Sequence, residues 1–209
     1  MNAENLIATL PAATHASRVL EFQRDLAAAK NDLSHVIQKH ITTGEPVVID
    51  SDVYYQLRRS VAYEFGIHPS CVILVGSCRT GFSLKPKNRY QCVRNDSDVD
   101  VAVISESLFD DYWDQVFDLT RSDRGWGRSE GKCFSVDLFM GWITPQRLPN
   151  RPRFKNSRKW AEVFDDLTAK RICGIRTISA RLYRSWKRLE AYQEIMVSQC
   201  RNDLRKGTE

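Results

Sequence analysis

Two aspartates one residue apart, Asp98 and Asp100, lie at the start of an apolar run, and twenty residues before them the pair Gly76-Ser77 closes another such run. On a strand successive side chains point to opposite faces, so Asp98 and Asp100 share one face while Val99, Val101 and Val103 share the other. The same alternation predicts a third strand over Cys133 to Gly141, with Phe134, Val136, Leu138 and Met140 on one side and Asp137 on the other. A neighbouring strand would then bring a third carboxylate to the first two. Three converging carboxylates repel one another, and cations remove the conflict. Hard oxygen ligands suit Mg²⁺ or Mn²⁺, and two such ions about 4 Å apart activate an attacking hydroxyl and stabilise departing pyrophosphate.

A glycine and a small hydroxyl residue between a strand and a helix let backbone N–H groups face a phosphate, with Ser77 adding a donor. No GxxxxGK[ST] loop occurs. Asp96-Ser97-Asp98-Val99-Asp100 begins like a calcium loop, but Val101 replaces the required glycine and Ser107 the bidentate glutamate, which excludes that site. An isolated aspartate pair also caps turns or meets arginines. The order and distance of Gly-Ser relative to the aspartates carry the information.

The elements that must hold these residues follow from periodicity. Apolar positions at three- and four-residue spacing predict an N-terminal helix from about Ala13 to Ile41, stopped by Gly44. Ser51 or Asp52 caps a second helix to about Glu64, closed by Gly66 before a buried strand, Cys71 to Val75. A short helix from Ser77 to about Leu84, a strand from Asp98 to Ile104 and a helix around Leu108 to Leu119 follow. After the third strand, prolines 145, 149 and 152 mark an extended connection, Ser157 caps a helix to Leu167, and the chain from Lys170 reads as helical nearly to Lys206, with a break near Gly174. The ending is thus expected to be all-helical.

A chain of 209 residues fits one compact unit: a core over 1–150 and a basic helical extension over 151–209 packed on it. Residues 151–209 hold fifteen Lys or Arg against seven Asp or Glu, while the first 150 hold sixteen against nineteen. That asymmetry argues for an anionic partner near the C-terminal part, a nucleoside triphosphate or nucleic acid, against the plainer reading of a solvated arginine-rich face. Arg181, Arg184 and Arg188 would share one face of the last helix and could neutralise phosphate; the competing reading is that Leu182, Trp186 and Leu189 form the buried stripe and the arginines merely face water. Six scattered cysteines without a CxxC pair argue against structural zinc and a disulfide framework. No apolar stretch approaches the roughly eighteen residues of a membrane span. The acidic start, without an apolar block behind it, reads as cytoplasmic.

Strand, Gly76-Ser77, a short helix containing Gly81, Ser97-Asp98-Val99-Asp100 on a strand and Asp137 on a later one resemble the DNA polymerase beta-like nucleotidyltransferases, over roughly Ser51 to Trp142. The resemblance implies an α/β (α+β) fold, a small mixed β-sheet flanked by helices. It also implies transfer of a nucleoside monophosphate from an NTP such as ATP, or a dNTP, to a hydroxyl acceptor, with two Mg²⁺ or Mn²⁺ ions. By position, Asp98, Asp100 and Asp137 would bind metal and serve catalysis, and Gly76 and Ser77, helped by Arg181 and Arg184, would hold the nucleotide. The acceptor would be small, a nucleic acid end or a protein. Similarity to small bacterial nucleotidyltransferases of anti-phage or toxin-type systems implies a nucleotide signal or a modified target, and an effector or toxin partner. The alternative is a catalytically silent partner-binding or antitoxin protein. The stretch Lys85 to Asn95 departs from the most compact members by lengthening the interval between Gly-Ser and the aspartates.

Overall fold

The computed structural model describes residues 10–94, 97–121, 128–148, 155–174 and 176–206. It is a mixed α+β fold, with helices packed on a four-stranded sheet of order β1-β2-β4-β3. Strand β1 (Val72–Val75) runs antiparallel to β2 (Val99–Ile104), β2 runs parallel to β4 (Ile178–Tyr183), and β3 (Trp142–Ile143) is antiparallel to β4. Alternation divides the sheet as period two demands. Val72, Leu74, Val99, Val101, Val103, Ile178, Ala180 and Leu182 enter one core with Trp160 and Phe164. Ile73, Val75, Ala102, Ile104, Trp142 and Tyr183 enter the other, with Phe22, Leu189 and Val197.

The first core is covered by α3 (Ser51–Phe65), α5 (Glu106–Arg121), α6 (Arg128–Met140) and α7 (Lys155–Ala169). Helix α3 starts where Asp50 accepts from the N–H groups of Asp52 and Val53, and ends at Gly66 in the left-handed conformation. On the second face lie α1 (Ala12–Ala28), α2 (Ser34–Ile37) and α8 (Trp186–Lys206). The single N-terminal helix expected from periodicity is broken at Ala29, and the Asp32 carboxylate restarts it by accepting the Ser34 N–H at 2.8 Å. Its end, Gln38–Thr42, widens into a π-helix.

Two expected elements are different in kind. Alternation predicts a strand over residues 133–141, but Arg128–Met140 is helix α6. Phe134 and Leu138, four apart, are buried, whereas Val136 and Phe139 are 56% and 78% exposed, so helical spacing prevails over the equally legible alternation. The ending is not all-helical: Ile178–Tyr183 is a strand between β2 and β3. Its apolar residues Ile178, Ala180 and Leu182 show period two, a pattern concealed by the helical stretches on either side.

The π-turn contains a buried histidine. His40 Nε2 lies 2.8 Å from Asp25 Oδ2, and Lys39 bridges Asp25 and Glu21 at 2.8 Å each. Burial lowers the His40 pKa below its ordinary 6.5 although Asp25 opposes the shift. Between the folded value and 6.5 the unfolded chain therefore binds more protons, so stability is fully present above 6.5 and falls as pH drops through that window. Urea midpoints measured across it should fall with pH in the wild type, and His40→Gln should flatten the slope. An unchanged slope would show that His40 does not set it.

Candidate active site

Strand register brings the sequence features together. Val75 at the end of β1 pairs with Asp100 near the start of β2, so Gly76 follows directly beside that carboxylate. Gly76 has φ 67 and ψ −156, a backbone region essentially reserved for glycine. A Cβ there would stand 2.6 Å from Asp100 Oδ2. Ser77 then opens α4 (Ser77–Thr80), whose last residues donate their N–H groups to the Gly76 carbonyl before Gly81 ends it at φ 87. The first N–H groups of such a turn lack partners within it.

Asp100 is held from the other side. Ser179 on β4, its register partner, donates its hydroxyl to Asp100 Oδ1 at 3.0 Å. Burial pushes the Asp100 carboxyl above the usual range; the Ser179 bond and the positive charges of Lys85 and Arg181 oppose this, and Asp98 adds to it. Asp98 itself is exposed. Behind the pair, buried Arg176 donates to Cys78 Sγ at 3.3 Å and to the Ser97 carbonyl at 3.4 Å, and the Cys78 thiol donates to the Asp98 carbonyl at 3.4 Å. The turn and the start of β2 are thus tied from beneath.

Arg181 reaches this site from a strand, not from the helix predicted for it. It lies on the Asp100 face of the sheet, with its guanidinium 4.3 Å from the Tyr192 ring centroid. Arg184 lies past the opposite end of β4, forked between Glu106 at 3.0 Å and Asp110 at 3.2 Å. Arg188 is on α8, so the predicted arginine face on one helix does not form.

Asp137 also stands apart. On helix α6 it accepts the Trp142 indole N–H at 3.1 Å and has Arg147 at 3.8 Å. Trp142 pairs with Tyr183, four strand residues from Ser179, or about 13 Å along β4. No neighbouring strand therefore presents Asp137 to the aspartate pair, and the residue opposite Asp100 is Ser179. Among the described residues, no three His, Cys, Asp or Glu side chains group closely enough to hold a metal.

The site therefore joins Gly76, Ser77, Asp98, Asp100 and Arg181, to which the structure adds Ser179, Lys85 and Arg176. Ser179 is hidden by the unrecognised β4; Arg176 and Lys85 are visible in the sequence as cations, Arg176 among the C-terminal arginines and Lys85 in an insertion equally readable as a solvated loop. Two clefts lie elsewhere: one of 830 Å³ between α3 and α7, and one of 490 Å³ beside α5 and α6. No protein-family model, curated protein or solved structure matches the chain.

Proposed function

We propose that the chain is a metal-dependent nucleotidyltransferase that moves a nucleoside monophosphate from an NTP or dNTP to a hydroxyl acceptor and releases pyrophosphate. The observation that carries this reading is the seating of the Gly76 turn against the Asp100 carboxylate, which puts a phosphate-accepting backbone and a carboxylate pair at one end of the sheet. Asp98, just before β2, and Asp100 on it supply hard oxygens close enough to interact, and the conflict of a half-buried carboxylate beside a second one fits a divalent cation. When bound there, Mg²⁺ or Mn²⁺ supplies Lewis-acid neutralisation of phosphate charge and makes a nearby hydroxyl easier to deprotonate.

The chain's own residues do the positioning. Gly76 lets the Asp100 carboxylate sit against the turn because it has no Cβ, Ser77 offers its hydroxyl and N–H to a phosphate, and Ser179 keeps Asp100 in one orientation. Arg181, braced on Tyr192, and Lys85 add positive charge beside the anionic ligand. The proposal rests on Asp98 and Asp100; Asp137 and Arg184 are left out of the catalytic set because their contacts lie at the other end of the sheet. The expected second ion loses its third carboxylate with Asp137.

That loss also favours the second reading, a catalytically silent nucleotidyltransferase-like protein that binds a partner. A defence role, with a nucleotide signal or a modified target, remains a proposal within the first. Incubation with each α-labelled NTP and dNTP plus Mg²⁺ or Mn²⁺ separates them. Label in a new product with matching pyrophosphate is the expected result; no product with any nucleotide, with or without RNA, DNA or cell extract, would leave the binding reading.

A further inference from the structure

On α5, Asp110, Trp113, Asp114, Phe117 and Arg121 recur at three- and four-residue spacing and form one stripe. Trp113 is 44% exposed and Phe117 51%, and Phe139 of α6 joins Trp113 and Asp114 in lining the 490 Å³ cleft. Exposed aromatics gathered on two adjacent helices mark an interaction surface more often than chance exposure does.

The chain's own contacts show what this stripe accepts. At one end the Arg184 guanidinium is forked between Glu106 and Asp110. At the other, the Arg121 guanidinium lies 5.5 Å from the Phe117 ring centroid. Between them, Trp113 and Asp114 offer the same two chemistries, an aromatic face and a carboxylate, and have no partner among the described residues. The helix carries Glu106, Asp110, Asp111, Asp114 and Asp118 against Arg121; Arg184 and Arg188 also line the cleft, Arg184 being paired with Glu106 and Asp110, so five carboxylates face three guanidinium groups and the net negative field favours a cationic segment over a phosphate backbone.

We infer that the α5–α6 face docks an arginine-bearing segment of a partner polypeptide, with a guanidinium over Trp113 beside Asp114 and an apolar side chain against Phe139. This surface is separate from the Gly76–Asp100 site and does not depend on its chemistry. Charge complementarity selects a basic polypeptide over nucleic acid.

The test uses the full chain and two fluorescein-labelled peptides of equal length, one with leucines and arginines at helical spacing, the other with each arginine replaced by glutamate. Fluorescence anisotropy should show saturable binding of the arginine peptide to wild type, weakened about tenfold or more by Trp113→Ala and by Asp114→Lys. Unchanged thermal melts would show both variants folded, as expected of exposed positions. The glutamate peptide should not bind. Binding unaffected by both variants, absence of saturable binding, or preference for the glutamate peptide or a single-stranded oligonucleotide would overturn the inference. Sedimentation equilibrium showing a wild-type dimer that Trp113→Ala dissociates would assign the face to a second copy instead.

Discussion

Asp100→Asn is expected to make the metal-free protein more stable while removing nucleotidyl transfer. Burial disfavours the charged form of this carboxylate, and Asp98 beside it disfavours it further. Its folded pKa therefore lies above the ordinary 3.8, and the sign follows: the ionised group costs stability as pH rises through that raised value. Asparagine keeps the size and still accepts the Ser179 hydroxyl, so the cost is lifted without loss of packing. Transfer should fall by on the order of 10³, since several kcal/mol of transition-state charge stabilisation depend on the carboxylate pair. Thermal melts without metal and initial rates with it check both halves. Added Mn²⁺ should raise the melting temperature of wild type and leave that of the variant unchanged. A variant that is less stable without metal, or as active with it, would contradict the assignment of Asp100.

Gly76→Ala should be the most damaging single change of a glycine. The new residue would occupy a glycine-only backbone region, at a cost of about 1–3 kcal/mol, and its Cβ would meet Asp100 Oδ2 at 2.6 Å. A flexible carboxylate could swing aside, but this one is held by Ser179, and moving it breaks the contact that orients it. The rate should therefore fall by about 10² or more, beyond any loss explained by unfolding. Gly66→Ala is the control. It also has a positive φ, 64, but nothing lies within 4 Å of the added Cβ, so it should cost about 1 kcal/mol of stability and leave transfer intact. Chemical denaturation and rates on both variants separate backbone strain from site geometry. Equal activity losses in the two would contradict the proposed contact.

The portion of this site legible from sequence was the portion encoded locally. Gly76-Ser77 and Asp98-Val99-Asp100 announce a turn and a strand face by their own types and spacing, and the register of β1 with β2 brings them together. Ser179 belongs to a strand whose partner lies about eighty residues away in sequence, so its bond to Asp100 could not be read from local pattern. Arg181 is legible by its charge alone, yet it reaches the site by strand alternation, not helical spacing. Asp137 shows the opposite failure. Phe134, Val136, Leu138 and Met140 alternate as a strand would, and Phe134 and Leu138 also fit a helix; burial of only that pair, with Val136 and Phe139 outside, decides for the helix and carries Asp137 away.

One assay tests the central claim most directly: label transfer from an α-labelled nucleotide by wild type, Asp98→Ala, Asp100→Ala and Asp137→Ala, each checked for native melting. The structure predicts that the first two aspartate variants lose transfer by about 10³ while Asp137→Ala stays within about threefold of wild type, because its side chain holds Trp142 at the far end of the sheet. A folded Asp137→Ala as inactive as the other two, or an Asp98→Ala that still transfers label at the wild-type rate, would contradict it.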